Sequence, residues 1–263
     1  SHGTSQGGRV MSTLRYISFD IRRALKEPTA LAVSIALPSV LFIVFGASQT
    51  GTDRAFNDGN VAAYVMIGMA AYGAITGAVG TVGNMVIDEI SGWGRQLALT
   101  PLRAWQRTVA QIVTTMARAA LAVIGVFLCG YFGNASMPVR EWLAAGALSV
   151  VAVIPFSLYG LVFASTFRSS AAVSLASLSI VPLAFVGNAF APMPESFMPF
   201  ARFSPIYGSV SLARYPLSDG IQAISSNPYT VDDPLWYALV NIAAWTLIFA
   251  LICTLLWRRD KGR

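Results

Sequence analysis

Six long apolar stretches, almost without charge, constrain this chain more than any other feature of its sequence. A helix needs about 20 apolar residues to cross the roughly 30 Å hydrocarbon core of a bilayer. Only 11% of all residues are charged, against about 25% in soluble domains. The sequence therefore predicts an all-α integral membrane protein with six transmembrane helices between residues 29 and 257, at residues 29–47, 61–87, 109–132, 142–167, 169–191 and 235–257.

A basic amphipathic segment, residues 11–28, precedes the first apolar stretch. Leu14, Ile17 and Ile21 recur in it at helical spacing, with arginines and a lysine around them. A helix with one apolar and one basic face lies well at a membrane surface, beside anionic lipid headgroups. We predict an N-terminal interfacial helix here that contacts membrane lipid. Residues 1–10 are expected to be a disordered leader or an expression tag, with Met11 as the natural start.

The basic residues are distributed unevenly between the segments that connect the apolar stretches. Thirteen lysines and arginines lie in the segments on the side of both termini, and four lie on the other side. Because positive charge accumulates on the cytoplasmic side, both termini are predicted to be cytoplasmic, including a tail at residues 258–263. The location is then the cell (inner) membrane. This topology explains the net charge of +6 without a nucleic-acid partner.

The longest connection, residues 192–234, is predicted to lie outside the cell between the fifth and sixth spans. A connection of 43 residues without secondary structure would be unusual, because loops longer than about 12–15 residues are uncommon. We therefore predict short outer helices in this connection.

Several patterns of catalytic and nucleotide-binding sites are missing from the sequence. There is no G-x-x-x-x-G-K-[ST], H-E-x-x-H or G-x-S-x-G, and the single histidine is His2 in the leader. The acidic residues fall at span ends or in connections, whereas ion-coupled transporters usually place them at mid-membrane. The chain is thus not expected to be an enzyme or to hold a cofactor or metal itself. A channel, a secondary transporter and the membrane part of a pump all remain open at this point.

Two features of the spans allow two interpretations each. Gly73 and Gly77 lie on one face of the second span, where small residues permit close helix packing, either within the chain or across a dimer. Arg118 is the only charged residue inside a predicted span. It either extends its charge toward the membrane surface or contacts an anionic group.

The connection between the second and third spans carries a more specific pattern. Residues 88–101 read D-E-I-S-G-W-G-R-Q-L-A-L-T-P, and this stretch resembles the loop after the second span in the ABC type-2 permease family. Arg95 departs from the family pattern, which usually has an acidic residue there. The order of the spans and the preceding basic helix extend the resemblance over the chain from about Met11. The matching positions in the loop are Glu89, Gly92, Gln96, Leu97, Thr100 and Pro101.

This resemblance implies a permease subunit of an ATP-binding cassette exporter, in which the six matching residues couple the chain to an ATPase subunit and a short cytoplasmic coupling helix, capped near Gly92, ends at Pro101. A separate ATP-binding cassette subunit would dock there and bind ATP and Mg²⁺, and a second permease subunit, identical or homologous, would complete the pathway. The implied substrate is small and hydrophobic or amphipathic, such as an antibiotic, another drug or a lipid, which would give an efflux role in antibiotic resistance. An ATP-independent channel or secondary transporter is the alternative. Candidate pathway residues on the second and fifth spans are Tyr64, Met66, Tyr72, Asn84, Phe185, Asn188 and Phe190.

Overall fold

The computed structural model describes residues 4–26, 28–92 and 104–262, and most of these residues are helical. The described residues also contain a π-helical segment (Ile43–Ala47) and a 3-10 helix (Glu195–Phe197). Two short antiparallel hairpins are present, β1 (Ala55–Phe56) with β2 (Gly59–Asn60), and β3 (Ile221–Ala223) with β4 (Thr230–Asp232). The fold is that of an all-α membrane protein, as predicted. Its helices are α1 (Thr4–Leu25), α2 (Pro28–Phe42), α3 (Val61–Ile90), α4 (Ala104–Phe132), α5 (Val139–Val151), α6 (Ile154–Phe167), α7 (Ser170–Val186), α8 (Met198–Ala201), α9 (Pro205–Ser218) and α10 (Leu235–Lys261).

Four helical segments of the described chain are long and apolar enough to cross a membrane by length and composition. Two further apolar helices, Ala32–Ala47 and Ser170–Val186, are shorter. They coincide with the predicted first and fifth spans, so the count of six stays a prediction. The four long segments are Val61–Ile90, Thr108–Phe132, Val139–Phe167 and Leu235–Asp260.

The third helix, α3, is the centre of the bundle. It packs against α2, α4, α6, α7 and α9, and 72% of its most apolar window is buried, against 11% for α10. The difference follows from side-chain size, because α3 is rich in Gly and Ala, which let neighbouring helices approach closely. The large apolar side chains of α10 instead cover the outside of the bundle, as a helix facing lipid requires.

The two ends of the bundle are built differently, and we name them by the helix that lies there. At the α9 end, Asn60 Oδ1 accepts hydrogen bonds from the N–H groups of Ala63 and Ser136 at 2.9 and 3.0 Å. This caps the first turn of α3. Asn60 also donates to the Asn134 carbonyl at 2.7 Å. One side chain thereby joins the start of α3 to the connection between α4 and α5.

At the α1 end, the N-terminal helix is attached to the bundle by side-chain hydrogen bonds. Gln106 donates to Thr13 at 2.7 Å and Thr114 donates to Asp20 at 3.0 Å. These contacts hold α1 against α4. The helix begins at Thr4, so part of the segment expected to be a disordered leader is helical here. Leu14 and Phe19 are exposed, and the position of this face at a membrane surface stays a prediction.

The other helix boundaries differ from the predicted spans where the backbone turns. The fourth predicted span is broken at Ala152 and Val153, next to Pro155 in the first turn of α6, because proline cannot continue the hydrogen-bond ladder. The fifth ends at Val186, short of the predicted residue 191. Residues 192–234 contain α8 and α9, as the length of this connection led us to expect, together with the β3–β4 hairpin, which the sequence did not reveal.

Candidate functional site

A groove of about 540 Å³ lies between α2, α3 and α7. Its volume falls within the range of about 300–1,000 Å³ that is typical of small-molecule sites. The walls are mostly apolar and carry several hydroxyl groups. Among the described residues that line it, Arg118 is the only charged one. The lining residues are Thr29, Val33, Ser34, Leu37, Pro38, Tyr72, Thr76, Gly77, Gly80, Thr81, Asn84, Arg118, Val173, Ser174, Ser177 and Leu178.

Four glycines of α3 determine where this groove opens. A Cβ at Gly73 would lie 2.9 Å from Pro38 on α2, and a Cβ at Gly83 would lie 2.6 Å from Val173 on α7. At Gly77 a Cβ would meet nothing within 4 Å, and at Gly80 only Ser177 Oγ at 3.8 Å. Gly73 and Gly83 therefore admit the two neighbouring helices, whereas Gly77 and Gly80 leave the floor open. The small residues of α3 thus have two roles: some permit close packing of neighbouring helices, and others leave space for the groove.

The polar groups on the floor of the groove follow the period of the helix. Tyr72, Thr76, Gly80 and Asn84 are spaced four residues apart and lie on one face of α3. Thr76 Oγ1 donates to the Tyr72 carbonyl at 3.0 Å, so much of its hydrogen-bonding capacity is satisfied within the helix. The floor is consequently less polar than its composition indicates. Of this stripe, Tyr72 and Asn84 were predicted from the sequence as pathway residues; Thr76 and Gly80 between them were not, although the four-residue spacing could have revealed them.

A cluster of charged side chains lies where the groove meets the α1 end. Arg23 on α1 pairs with Asp88 on α3 at 3.3 Å, and Arg118 on α4 donates to Thr81 Oγ1 at 3.5 Å. A small pocket between them, also lined by Asp20, shares Thr81, Asn84 and Arg118 with the groove. Burial raises the pKa of the Asp20 carboxyl above its ordinary value, although Thr114 and the nearby arginines oppose this shift. Charges from three helices therefore meet beside the groove.

The candidate pathway residues fall into two groups. Tyr72 and Asn84 line the groove. Phe190 lies behind Tyr72 in an edge-to-face contact, with ring centroids 4.7 Å apart, and Phe185 packs on Phe190 at 5.0 Å. Met66 is fully buried against α4, where a Cβ at Gly130 would collide with its sulfur. The structure therefore brings Phe185 and Phe190 near the groove without placing them among its lining residues, and places Met66 in the helix core.

Tyr64 and Asn188 belong to a buried network at the α9 end, whose centre is Arg214 on α9. Arg214 is 2% exposed and donates to the carbonyls of Tyr64, Asn188 and Ala189 at 3.0, 3.1 and 2.9 Å. Its guanidinium also lies 3.9 Å from the centroid of the Tyr64 ring. Burial lowers the pKa of Arg214. This one side chain connects α9 to the start of α3 and to the end of α7.

A second network fixes the other side of α9. Arg202 pairs with the buried carboxylate of Asp233 at 2.7 Å, and Tyr207 donates to the same carboxylate. The hydrogen bond to Asp233 raises the pKa of Arg202. Asn241 on α10 accepts from the Gly208 N–H at 3.0 Å and donates to the Arg202 carbonyl at 2.8 Å. These residues were not predicted from the sequence, since nothing in their spacing indicates that they meet.

Two of the six predicted coupling residues lie in the described part of the chain. Glu89 is exposed near the end of α3 and accepts a hydrogen bond from Gln111 on α4 at 2.9 Å. Gly92 follows the C-cap with φ +105°, the left-handed conformation in which glycine commonly ends a helix. Gln96, Leu97, Thr100 and Pro101 lie outside the described residues, as does the predicted coupling helix itself. Within the described residues, no group of three or more His, Cys, Asp or Glu side chains could hold a metal ion.

Comparison with protein families gives one match. The family model described as ABC-2 type transporter matches residues 13–217, which is more than half of the chain, and no curated protein matches. The chain therefore belongs to the ABC-2 type transporter family, and it is the membrane permease component of an ABC transporter. The matched region contains the groove, the charged cluster and Arg214.

Proposed function

We propose that this ABC-2 family permease is the membrane subunit of an exporter that moves a hydrophobic or amphipathic substrate, such as a drug, an antibiotic or a lipid, through the groove of α2, α3 and α7. A separate ATP-binding cassette subunit would bind ATP and Mg²⁺ and drive the transport. The proposal rests on the groove. It combines apolar walls, a few polar groups and a floor kept open by glycines, which is the composition of sites for such ligands.

Exposed apolar residues at the rims of the groove favour a second permease subunit as the other wall of the groove. Val33 on α2 and Leu178 on α7 are each 62% exposed within the single chain. Both residues also line the groove, so its two rims are apolar and uncovered by this chain. A second subunit placed against α2 and α7 would enclose the substrate between two such grooves. The same packing would cover the exposed apolar side chains.

The direction of transport follows from the proposed topology. With the α1 end in the cytoplasm, the charged cluster and Glu89 lie on the side of the ATP-binding subunit, and α9 lies outside. Glu89 joins the end of α3 to α4 through Gln111. A partner that docks beside Glu89 could therefore move α3, the floor of the groove, when it binds or hydrolyses ATP. Substrate would enter from the cytoplasm or inner leaflet and leave past α9.

The first experiment asks whether the chain works with an ATPase. Affinity purification from its native cell should recover an ATP-binding cassette subunit in equimolar amount. In proteoliposomes, the complex should then move a nitrobenzoxadiazole-labelled phospholipid between leaflets in the presence of Mg-ATP, as measured by dithionite quenching. Transport that persists without ATP and without a bound ATPase would instead favour a channel or secondary transporter.

A second experiment tests the groove. Gly77→Leu places a side chain into open space and should abolish ATP-dependent lipid movement while leaving the melting temperature nearly unchanged. Leu247→Phe adds bulk at a site that is 70% exposed on α10 and should have no effect on transport. Equal activity of both variants would contradict a pathway through the groove.

A further inference from the structure

The charge of the groove is concentrated at one point. Arg118 is the single charged side chain among the described lining residues, and it lies toward the α1 end, beside Thr81 and Asn84. From Asn84, the floor of α3 runs back to Tyr72 over twelve residues, or about 18 Å at a rise of 1.5 Å per residue. This length is lined by hydroxyl, glycine and apolar groups. The groove is therefore itself amphipathic along its axis.

The acidic residues near Arg118 lie in the small pocket that adjoins the groove, and Arg118 lines both cavities. Asp88 is paired with Arg23 at 3.3 Å, and Asp20 accepts a hydrogen bond from Thr114 at 3.0 Å. Both carboxyl groups line the small adjoining pocket and do not line the groove. Burial raises the pKa of Asp20, and Thr114, Arg23 and Arg118 oppose this shift. Among the described residues that line the groove, the charged group that a ligand meets is therefore the guanidinium of Arg118.

We propose that Arg118 is a specificity-determining residue that binds the anionic headgroup of an amphiphilic substrate whose apolar chain lies along α3 toward Tyr72. The inference rests on the proposed function, because it names the class of substrate for the same groove. A phosphate or carboxylate headgroup would receive charge-assisted hydrogen bonds from the guanidinium, with the Thr81 hydroxyl and the Asn84 amide within the same part of the groove. Burial of the apolar chain would supply most of the affinity, and Arg118 would select the charge.

Equilibrium dialysis with two probes of equal chain length tests this selection. The whole protein is placed in nanodiscs of zwitterionic lipid, and binding of radiolabelled dodecyl phosphate is compared with binding of dodecyltrimethylammonium. The unaltered protein should prefer the phosphate. Arg118→Gln should weaken its binding at least tenfold while leaving the ammonium unchanged or tighter, and Arg118→Lys should retain most of the preference. If Arg118→Gln weakens the binding of both probes to the same extent, or weakens the binding of neither, the inference is overturned.

Asn84→Asp provides a second variant that does not depend on removing Arg118. The change is nearly isosteric at an exposed position and adds a negative charge beside the guanidinium. It should reverse the preference toward the ammonium probe. An unchanged preference would also overturn the inference.

Two controls separate the inference from the proposal on which it rests. Gly77→Leu should reduce binding of both probes. If it alters neither, the groove is not the binding site, and the proposed pathway fails together with the inference. If it reduces both while Arg118→Gln affects them equally, the groove stands and only the selection of an anion fails. Inorganic phosphate at the probe concentration should not compete, because it lacks the apolar chain; strong competition would show a site for free phosphate and contradict an amphiphilic ligand.

Discussion

The two ends of the bundle each contain a prominent arginine, and the two side chains are held in opposite ways. Arg214 at the α9 end donates to three backbone carbonyls, which cannot rotate away from it. Arg118 at the α1 end is only half-buried and lies against a threonine hydroxyl and a cavity. The hydrogen bonds of Arg214 can all be made in one position only, because their acceptors are fixed backbone carbonyls. The groups around Arg118 are side chains, which can rotate toward other partners.

This difference indicates where the protein can change shape. Buried polar groups that are fully satisfied make a region rigid, because each lost hydrogen bond leaves an unsolvated group. Exposed and partly solvated pairs contribute little stability and break easily. The α9 end is therefore expected to move as a block, and the α1 end is where contacts would rearrange during transport. Four predictions test this comparison, in order of decreasing effect on stability.

Replacement of Arg214 should have the largest effect. Arg214→Met keeps an apolar stem but leaves the carbonyls of Asn188 and Ala189 without the guanidinium that donates to them, at a cost of about 1–3 kcal/mol for each buried unsatisfied group. Because two such carbonyls are left, we expect a loss of at least about 2 kcal/mol of unfolding free energy, measured by thermal or denaturant unfolding in detergent. Arg214→Lys should be intermediate, since a single ammonium cannot match the geometry of the guanidinium.

The matched control is Arg23→Met at the α1 end. Arg23 forms an ion pair with Asp88, and each of the two side chains is about 40% exposed. Loss of this ion pair should therefore cost no more than about 1 kcal/mol. A stability loss at Arg23 as large as that at Arg214 would remove the distinction between the two ends.

The second prediction concerns the glycines of α3. Gly83→Ala places a Cβ 2.6 Å from Val173 and should destabilise the protein by about 1–3 kcal/mol through overpacking. Gly77→Ala meets open space and should raise the unfolding free energy by about 0.4–1 kcal/mol, because alanine loses less conformational freedom than glycine when a helix forms. The same two unfolding curves measure both variants. If Gly77→Ala proved the more harmful, the groove would be closed in the folded protein.

The third prediction is a pH dependence at the α1 end. Because burial raises the pKa of Asp20 above its ordinary value of 3.8, the docked state of α1 favours the protonated carboxyl. Docking should be strongest below that ordinary value and should weaken as the pH rises through the raised pKa. Hydrogen exchange of the α1 amides, corrected for intrinsic rates, measures this. Asp20→Asn should flatten the profile, and a profile that stays as steep in this variant would assign the effect to another group.

The smallest effect on stability is expected at Glu89. Its exposed hydrogen bond to Gln111 contributes little to folding, so Glu89→Ala should change the melting temperature by no more than about a degree or two. It should nevertheless reduce lipid transport per ATP hydrolysed. Gln111→Ala removes the same hydrogen bond from the other side and distinguishes loss of this bond from loss of a contact with the ATPase. Full coupling in Glu89→Ala would reject Glu89 as a coupling residue.

Much of the fold could be predicted because lipid imposes simple rules on sequence. The helical class follows from apolar stretches such as residues 61–87, since the backbone must satisfy its own hydrogen bonds within a membrane. The helices in residues 192–234 follow from the length of that connection. The exact ends of helices could not be predicted in this way. Val186 ends α7 where Asn188 adopts φ +60°, a local backbone choice that apolar composition does not encode.

The site was predictable only in part, for a related reason. Tyr72 and Asn84, two of the predicted pathway residues, line the groove, but Asn188, which has the same polar character, belongs to the Arg214 network instead. Whether a polar side chain on a helix faces a groove or a neighbour depends on which helices surround it. One sequence read without its neighbours does not contain that information.

The sequence by itself determined the membrane class, the family and the positions of the glycines on α3. The tertiary structure decided which glycines admit a neighbour and which leave space, because that depends on where Pro38 and Val173 approach. It also decided that Arg214 binds three backbone carbonyls at the α9 end, whereas Arg118 lines a cavity at the α1 end. Composition reflects the solvent around a chain, whereas the role of each buried polar group depends on the few atoms that packing brings within hydrogen-bonding distance.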